Sequence, residues 1–258
     1  MKNALIGHTG FVGSNILSQV KFTHTFNSKD IDKIHSDSYD LVVCAGLPAV
    51  KWWANKHPED DFSVVQALAA NLEKLKCDRF VLISTVDVYQ HPANVTESTN
   101  LDPLAISPYG RNRLWLEHEI KKYFHKSHIV RLPALYGPGL KKNILFDLIT
   151  NNMLEKINCQ STFQWYPLSR IWSDIQQTTQ NEISLLNISV QPIKTQTILQ
   201  TFFPDKKVGS DPLPEAHYDV RSEYATIFNK NSSSYILSAE DSLRHMGRWL
   251  LNPGVCRA

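Results

Sequence analysis

Short apolar runs alternate with longer amphipathic segments along the first half of the chain. Each run is apolar at successive positions, which is typical of strands that are covered on both faces of a sheet. The predicted strands are Ala4–Ile6, Thr23–Phe26, Asp40–Ala45, Phe80–Ile83 and Ile129–Leu132. The segments Asp61–Lys76 and Tyr109–Phe124 carry apolar residues at helical spacing. This alternation predicts an α/β fold built on a Rossmann-type, doubly wound parallel sheet.

The pattern changes after Pro138. Helices are predicted at Ile144–Asn151, Ser173–Asn181 and Ala239–Leu251, whereas the stretch 198–218 is less regular. The apolar segment Leu185–Val190 is a candidate strand that returns to the sheet. We therefore predict a dinucleotide-binding domain at residues 1–140, joined by a strand near 185–190, and a smaller α+β lobe at residues 141–258 that binds substrate.

Composition narrows the function class only a little. The 258 residues are 42% hydrophobic and carry a net charge of +2, which gives no reason to expect nucleic acid or a membrane surface as a partner. The N-terminus lacks a signal-peptide layout and no apolar run is long enough to span a bilayer, so we expect a cytoplasmic protein. The cysteines lack CxxC spacing and the histidines lack HExxH spacing, so no metal site is expected. The cysteines are Cys44, Cys77, Cys159 and Cys256.

A glycine-rich turn follows the first predicted strand and opens a helix. Its sequence is Gly7-His8-Thr9-Gly10-Phe11-Val12-Gly13. A strand, a glycine turn and a helix start are the arrangement that binds a dinucleotide pyrophosphate. Gly7 permits the tight turn, Gly10 lets the backbone approach the phosphates, and Gly13 lets the helix lie close to the sheet. The alternative is a glycine-rich turn that has no ligand, because the spacing is GxxGxxG rather than GxGxxG.

Three further motifs follow in order. They are Ser84-Thr85-Val86-Asp87-Val88-Tyr89 at a strand end, Ser107-Pro108-Tyr109-Gly110-Arg111-Asn112-Arg113 at a helix start, and Arg131-Leu132-Pro133-Ala134-Leu135-Tyr136-Gly137-Pro138-Gly139. Together with the glycine turn they resemble the extended short-chain dehydrogenase/reductase family, over about residues 3 to 140. Many members of that family are nucleotide-sugar epimerases, dehydratases and reductases.

The resemblance implies roles for three residues. Thr85 stands where the family keeps a catalytic Ser or Thr that hydrogen-bonds the reacting oxygen. Tyr109 matches the catalytic Tyr, the general acid/base, which needs a nearby cation because a free phenol has a pKa of about 10. Arg113 stands where the family has the Lys of YxxxK, so it is expected to bind the ribose and tune Tyr109. Since Arg does not simply replace Lys, activity could be retained, weakened or lost.

The residues after Thr85 limit the reaction class. The family's nucleotide-sugar dehydratases carry an acidic pair there, but this chain has Val86 and Asp87. Val86 cannot protonate a leaving hydroxyl, so a 4,6-dehydratase is disfavoured and a reductase or epimerase is favoured. Asp87 is a candidate substrate contact, although a turn role suits it better.

The cofactor contacts that the resemblance implies lie at the ends of the first strands. No carboxylate ends the second strand, where Asn27, Ser28 and Lys29 could bind a 2′-phosphate, so NADP is slightly favoured over NAD; Lys29 could equally be a solvated lysine. Asp30 and Ile31 match an Asp-aliphatic pair that binds adenine. Further contacts are expected from Ala45, Gly46 and Leu47, and near the nicotinamide from Pro133, Ala134 and Leu135.

Substrate contacts are expected from the second half of the chain. Asn143, beside Lys142, resembles a position that binds the diphosphate of a nucleotide sugar. Trp165 and Arg170 could stack a base and pair with phosphate, although an aromatic cluster in a small lobe is more often core. The adjacent Trp52 and Trp53 fall in a predicted loop after the strand Asp40–Ala45, which could border the substrate pocket. The pair could equally be a hydrophobic plug or an interface patch.

The sequence therefore predicts an NAD(P)-dependent oxidoreductase or epimerase that acts on a sugar nucleotide or a similar hydroxyl or keto substrate. One alternative is a weak or inactive NAD(P)-binding protein with a sensing or scaffold role. Another is a structural protein with an empty site. The family resemblance also implies a homodimer paired through the helices at Asp61–Lys76 and Tyr109–Phe124.

Overall fold

The computed structural model describes residues 2–252. Its strands in chain order are β1 (Asn3–Ile6), β2 (His24–Phe26), β3 (Ser38–Tyr39), β4 (Leu41–Cys44), β5 (Lys76–Cys77), β6 (Phe80–Thr85), β7 (Ala93–Val95), β8 (Ser127–Leu132), β9 (Ala134–Tyr136), β10 (Thr162–Phe163), β11 (Trp165–Pro167), β12 (Leu185–Asn187), β13 (Ile193–Lys194) and β14 (Asp219–Val220).

The α-helices are α1 (Phe11–Leu17), α2 (Lys51–Lys56), α3 (Pro58–Glu73), α4 (Pro108–Tyr123), α5 (Ile144–Thr150), α6 (Ile171–Gln180), α7 (Thr195–Phe202), α8 (Ala225–Phe228) and α9 (Ala239–Leu250). Short 3-10 helices lie at Ile31–Ser36, Val86–Val88, Leu154–Lys156 and Leu168–Arg170.

A six-stranded parallel sheet organises the fold, in the order β12-β8-β6-β4-β1-β2. Its strands are nearly all apolar because both faces are covered. This confirms the predicted α/β, Rossmann-type class. It also confirms that the strand after Asn181 returns to the sheet, where Leu186 pairs with Val130. The chain changes direction between β1 and β4, so their carboxyl ends flank the place where such sheets bind ligands.

The chain divides into two compact units. The first holds the chain up to His91, Glu97–Leu132 and Ser169–Asn187, and the second holds Pro92–Thr96, Pro133–Leu168 and the chain from Ile188 onward. The core of the first unit joins sheet residues to the inner faces of α3 and α4. Phe80 and Phe124, for example, stack with ring centroids 4.3 Å apart, and Leu72 and Leu116 are fully buried.

The second unit has its own core. Tyr136, Trp165 and Met246 are each almost fully buried in a cluster that also includes α5 and α7 residues. The phenol of Tyr136 donates to the Ser242 carbonyl oxygen at 2.8 Å, and the hydroxyl of Ser242 donates to the Trp165 carbonyl oxygen at 2.6 Å. These bonds join β9, β11 and α9.

Two helices depart from the sequence-based expectation. The stretch from residue 198 was expected to be irregular, but α7 occupies Thr195–Phe202. The tryptophan pair was expected in a loop, but Trp52 and Trp53 lie in α2, a helix of six residues. Both helices are too short for a periodic apolar pattern to stand out.

Cys256 lies outside the described residues, and Cys44 is buried with its pKa raised to about 12 by desolvation.

Candidate active site

The glycine turn closes tightly against the end of β4. Gly7 has φ +83°, and a Cβ there would lie 2.4 Å from the Ala45 carbonyl oxygen. A Cβ at Gly13 would lie 2.1 Å from the Gly7 carbonyl oxygen. The backbone N–H of Gly10 donates to the Gly7 carbonyl oxygen at 3.0 Å. Glycine is therefore required at Gly7 and Gly13 by the backbone itself, so these two positions alone do not demonstrate a ligand.

The outer part of the turn is open. Thr9 and Gly10 are exposed, and Phe11 and Val12 are half-buried in the first turn of α1. A Cβ at Gly10 would lie 3.3 Å from the Gly7 carbonyl oxygen, with only one further atom at 4.0 Å. A Cβ at Gly10 would thus make one tight backbone contact and otherwise face open space, so the exposed side of the turn is open, as a pyrophosphate cradle needs.

The loop after β2 is held by its own side chains. The Asp30 carboxylate accepts from the Asn27 backbone N–H at 2.7 Å, and the Asn27 side-chain oxygen accepts from the Lys29 backbone N–H at 2.9 Å. Ser28 and Lys29 are exposed, while Ile31 packs against the core. One oxygen of Asp30 thus has a structural role, and the side-chain amide nitrogen of Asn27 is not used in this turn.

The segment after β4 completes this end of the sheet. The Ala45 backbone N–H donates to the Ile6 carbonyl oxygen at 2.9 Å, and a Cβ at Gly46 would lie 3.1 Å from the Ile6 side chain. Leu47 packs against the core of the first unit. Gly46 is thus a close-packing glycine, and both that role and a cofactor contact are compatible with its half-buried position.

Thr85 ends β6 and begins the turn that follows it. Its hydroxyl oxygen accepts from the Asp87 backbone N–H at 3.1 Å, which caps the 3-10 helix Val86–Val88. The Asp87 carboxylate accepts from the Lys51 ammonium at 2.7 Å. The backbone N–H of Asp87 thus belongs to the turn, and its carboxylate charge is paired with Lys51 of α2.

Tyr109 is placed by the first turn of α4. Its backbone N–H donates to the Asn55 side-chain oxygen at 3.0 Å, and a Cβ at the next residue, Gly110, would lie 2.0 Å from the Asp87 carbonyl oxygen. The start of α4 is thus pressed against the turn that Thr85 caps. Within residues 2–252, no hydrogen bond to the Tyr109 phenol oxygen is present. The side chain is buried, at 8% exposure.

Arg113 lies one turn along α4 and is fully buried. Its guanidinium forms a bidentate ion pair with Asp61, with one N···O distance of 2.9 Å. It also donates to the Pro48 carbonyl oxygen at 2.6 Å and to the Tyr109 carbonyl oxygen at 3.3 Å. The guanidinium carbon lies 4.0 Å from the centroid of the Tyr109 ring. The position expected to hold a ribose is therefore occupied by an arginine whose terminal donors are already used.

The charges around Tyr109 act in both directions. Desolvation by burial is the main cause that raises its pKa above the usual value of a phenol, and the Arg113 charge opposes this. Asp87 and Asp61 raise the pKa further, whereas Lys51 lowers it. The phenol is therefore protonated at neutral pH, and it needs further positive charge to act as a base.

A buried polar network lies beside these residues at the ends of β6, β8 and β12. The Glu117 carboxylate accepts from Ser84 at 2.5 Å and from Arg131 at 2.6 and 3.0 Å. Arg131 also donates to the Tyr89 phenol oxygen at 2.9 Å, and Tyr89 contacts the Asn187 amide. Ser84, Tyr89 and Arg131 fall within the sequence motifs, but the sequence predicts no role for them. The available signal was that Ser84 and Arg131 both lie near the ends of predicted strands, and the register of the sheet pairs these two residues.

The remaining predicted residues are distributed over both units. Arg170, in the first unit, donates to the buried Asp174 carboxylate at 3.0 Å. Pro133 and Ala134 begin the second unit and are half-buried, and Lys142 there is exposed. The side-chain oxygen of Asn143 caps α5 by accepting from Leu145 and Phe146.

Two substrate expectations have structural explanations instead. The Asn143 amide nitrogen donates to the Leu135 carbonyl oxygen at 2.9 Å, so both ends of its amide have partners. Trp165 is 1% exposed in the core of the second unit, so its ring offers no face on which a base could stack. For Trp165 the expectation of a stacking role is corrected: the alternative, that this aromatic cluster forms core, describes it.

The fold defines the class first: this is a Rossmann-type α/β protein built on a six-stranded parallel sheet. Residues 22–165 match the family model of the "NAD dependent epimerase/dehydratase family". The matched segment is more than half of the chain, and the chain therefore belongs to the NAD dependent epimerase/dehydratase family. The match includes Thr85, Tyr109 and Arg113 and begins after the glycine turn.

Several known proteins are similar to this chain in sequence or in structure. A bifunctional UDP-glucose 4-epimerase and UDP-xylose 4-epimerase from Pisum sativum is 32% identical over 123 residues, which are 45% of this chain and 35% of that protein. The matched segment thus spans about a third of that relative's length. A UDP-glucuronic acid 4-epimerase from Bacillus cereus, solved with a fluorinated UDP-sugar and NAD, has a TM-score of 0.72 at 19% identity, covering 97% of this chain and 99% of that chain.

A dTDP-4-dehydrorhamnose reductase from Clostridium acetobutylicum has a TM-score of 0.73 at 18% identity, covering 97% of this chain and 98% of that chain. At these identities, the likeness to solved structures supports the fold. Between residues 2 and 252, no helix is long and apolar enough to cross a membrane. The same residues contain no group of three or more His, Cys, Asp or Glu side chains placed to hold a metal ion.

Proposed function

We propose that this protein is an NAD(P)-dependent oxidoreductase or epimerase that acts on a sugar nucleotide or a similar hydroxyl or keto substrate. The observation that carries the proposal is the close packing of Gly110 on the Asp87 carbonyl, because it brings the Tyr109 turn of α4 against the turn that Thr85 caps. Family membership and the open cradle at Gly10 support the same reading. The relatives named above act on UDP- and dTDP-linked sugars.

The acid/base chemistry follows from three side chains. Thr85 would orient the substrate oxygen through its hydroxyl. Tyr109 would take the hydroxyl proton during oxidation and return it during reduction, and the Arg113 charge would stabilise its phenolate. A nicotinamide dinucleotide, held by the glycine turn, the loop Asn27–Ile31 and the segment Ala45–Leu47, would supply the hydride acceptor and donor for the substrate carbon. The raised pKa of Tyr109 fits a group that acts as a base only when further positive charge lies nearby.

Tyr109→Phe tests the acid/base role. We expect dinucleotide-dependent turnover of UDP-glucose or related sugar nucleotides to fall by about 10²- to 10⁴-fold, while the dissociation constant for the dinucleotide stays close to that of the wild type. Tyr123→Phe, in the last turn of the same helix, serves as the matched control. Equal turnover in wild type and Tyr109→Phe would refute the assignment.

The cofactor would bind across the glycine turn, the loop Asn27–Ile31 and the segment Ala45–Leu47. Between the two dinucleotides, we favour NADP slightly, because no carboxylate ends β2 and the exposed Ser28 and Lys29 offer donors for a 2′-phosphate. Dissociation constants for NADPH and NADH, measured for wild type and Lys29→Ala, test this preference. A wild-type preference for NADH, or a preference that Lys29→Ala leaves unchanged, would contradict it.

Substrate binding is proposed for Thr85, Asp87, Lys142 and Arg170. Each carries a polar group, and Lys142 and Arg170 carry the positive charge that a diphosphate needs. Arg170→Lys and Lys142→Ala should raise the KM for a sugar nucleotide without changing the dissociation constant for the dinucleotide. An unchanged KM in either variant would refute a substrate role for the residue replaced.

A homodimer is proposed from a groove on the outer side of α3 and α4. The groove has a volume of about 380 Å³ and includes Pro58, Phe62, Leu114 and Trp115. Glu59 and Arg111 lie in the same groove, so two copies related by a two-fold axis could pair opposite charges across it. Sedimentation should give a dimer for wild type and a monomer for Trp115→Glu. A monomeric wild type would contradict the proposal.

A second candidate is a dinucleotide-binding protein with little or no catalysis. The specific observation in its favour is Arg113, whose terminal donors are used by Asp61, Pro48 and Tyr109. Arg113→Lys discriminates between the candidates, because Lys would restore the family's usual YxxxK pattern. Binding of NAD(P)H without turnover in wild type, together with activity gained in Arg113→Lys, would favour this candidate.

A further inference from the structure

Asp61 is buried although it lies in the first turn of α3. Its neighbours Glu59 and Asp60 are exposed, whereas Asp61 is 1% exposed. A carboxylate in a first turn gains from the helix dipole at the surface without being buried. Burial of its charge is unfavourable unless the charge is paired and hydrogen-bonded. Burial of Asp61 therefore requires a partner whose charge and hydrogen bonds offset the desolvation of the carboxylate.

That partner is Arg113, 52 positions along the chain. Asp61 accepts from both terminal nitrogens of the guanidinium and from the Asn112 side-chain amide, the latter at 2.8 Å. The two remaining terminal N–H groups of Arg113 donate to the carbonyl oxygens of Pro48 and Tyr109. The Arg113 Nε atom is buried and has no hydrogen-bond partner within residues 2–252. The guanidinium thus presents no accessible donor to a ligand.

The guanidinium instead lies on the Tyr109 ring. Its central carbon is 4.0 Å from the ring centroid, which is within the range of a cation–π interaction. A bidentate carboxylate fixes the plane of a guanidinium because both groups are flat and their donors and acceptors match. Asp61 therefore determines where the Arg113 charge sits relative to Tyr109.

We propose that Asp61 is a positioning residue that fixes Arg113 on the ring face of Tyr109, so that Arg113 supports the phenol and does not hold the cofactor ribose. This inference rests on the proposed function, because it gives Asp61 and Arg113 a part in the acid/base role of Tyr109. It differs from the expectation drawn from the YxxxK pattern, in which the residue at position 113 binds ribose.

The charged groups that face Tyr109 make the inference testable. They are Arg113 on the same helix, Asp61 on α3, Lys51 on α2, and Asp87 in the 3-10 turn. Asp61 raises the pKa of Tyr109, whereas Arg113 lowers it, and Arg113 is the larger of the two influences. Loss of the Asp61 charge alone would lower the Tyr109 pKa, whereas release of Arg113 from the ring would raise it, so the direction of the shift in an Asp61 variant shows whether Asp61 positions Arg113.

The experiment uses Asp61→Asn and the double variant Asp61→Leu/Arg113→Met, in which apolar side chains of similar size replace the buried pair. Asp60→Asn is the matched control, because Asp60 is the exposed neighbour on the same helix. Each protein is titrated spectrophotometrically for tyrosinate, and the curve of its Tyr109→Phe counterpart is subtracted. We expect the Tyr109 pKa to rise by about one pH unit in Asp61→Asn, because release of Arg113 outweighs loss of the carboxylate, and to rise by a similar amount in the double variant. Asp60→Asn should match wild type.

Dinucleotide affinity supplies a second measurement. If Arg113 does not hold the ribose, the double variant should bind NADPH and NADH within about threefold of wild type, and a loss of tenfold or more would overturn the proposal. A Tyr109 pKa that falls in Asp61→Asn, or that stays unchanged in the double variant, would also overturn it. If Asp61→Asn does not fold, the double variant decides alone: a raised pKa supports the inference and an unchanged one refutes it. The tyrosinate titration needs neither turnover nor cofactor, so failure of the proposed function would appear separately, as a wild type that neither binds nor turns over a dinucleotide.

Discussion

Gly110 lies directly against the main chain of Asp87, because a Cβ at Gly110 would be only 2.0 Å from the Asp87 carbonyl oxygen and 2.7 Å from the Ile106 side chain. The first turn of α4 can approach the 3-10 helix Val86–Val88 this closely only because residue 110 lacks a side chain. The contact joins Tyr109 to the turn that Thr85 caps. It therefore links two chain segments that the proposed chemistry needs together.

Gly110→Ala should damage turnover more than it damages the fold. The added Cβ must push α4 away from Asp87, which costs about 1–3 kcal/mol as overpacking. A displacement of about 1 Å in a reacting group can lower turnover by about 10²-fold. Thermal unfolding and sugar-nucleotide turnover measure the two effects. Gly247→Ala in α9 is the control, because its Cβ would meet only the Phe202 ring, at 3.2 Å; if both variants lose turnover equally, the Gly110 contact has no special role.

Thr85→Ser and Thr85→Val separate the hydroxyl from the side-chain shape. Serine keeps an oxygen that can accept from the Asp87 N–H, so turnover and stability should stay near wild type. Valine loses that cap, at about 1 kcal/mol, and it also loses the proposed hydrogen bond to the substrate oxygen, so turnover should fall by about 10²- to 10³-fold. Parallel measurements of melting temperature and turnover check this. A fully active Thr85→Val would show that the hydroxyl only caps the turn.

Two glycines of the first turn should respond differently to alanine. Gly7→Ala places a Cβ 2.4 Å from the Ala45 carbonyl oxygen at a positive φ, so it should unfold or strongly destabilise the protein. Gly10→Ala brings its Cβ to 3.3 Å from the Gly7 carbonyl oxygen, a tight contact that a small shift relieves, so it should destabilise the protein much less than Gly7→Ala and bind the dinucleotide more weakly. Circular dichroism and dinucleotide titration distinguish the two outcomes. Unchanged dinucleotide binding by Gly10→Ala would argue that the turn has no ligand.

The sheet and the motif residues could be predicted from the sequence because they depend on local order. Continuous apolar runs identify covered strands, and Thr85 and Tyr109 fall at element boundaries that the strand and helix patterns mark. The structure agrees within a few residues: the predicted helix Tyr109–Phe124 is α4, Pro108–Tyr123. Family membership, now shown over residues 22–165, confirms the resemblance that these motifs carried.

The partners of the motif residues could not be predicted in the same way. Asp61 and Arg113 meet across α3 and α4, and no spacing rule connects residues on two different helices. The charge on Asp61 looked like an ordinary first-turn carboxylate, and its burial depends on tertiary packing. Trp165 could not be assigned from the sequence for a different reason. An aromatic side chain in a small lobe has the same sequence pattern whether it packs in a core or stacks on a ligand.

Two ion pairs in the first unit should contribute very differently to the free energy of unfolding. Glu117 is fully buried and accepts from both Arg131 and Ser84, so Glu117→Gln leaves a buried guanidinium charge without its carboxylate. We expect a loss of about 3–5 kcal/mol in the free energy of unfolding. Glu182 pairs with Arg79 at 2.6 Å but is largely exposed. Glu182→Gln should therefore change the free energy of unfolding by about 1 kcal/mol or less. Denaturant unfolding measures both, and similar losses would contradict this account of burial.

His128 gives the fold a pH dependence whose sign is fixed by its surroundings. It is buried in β8, its Nδ1 atom lies 2.7 Å from the Ile183 carbonyl oxygen, and desolvation lowers its pKa below the usual value. The unfolded chain therefore binds a proton more readily, so the stability contributed by neutral His128 is complete above a pH of about 6.5 and is lost as the pH falls toward the lowered pKa. His128→Asn can keep a donor toward Ile183 without titrating. Its free energy of unfolding should depend less steeply on pH between about 5 and 7 than that of wild type, whereas His91→Asn, an exposed control outside the core, should retain the wild-type slope. An identical slope for His128→Asn and wild type would show that His128 does not bind its proton differently in the folded and unfolded states.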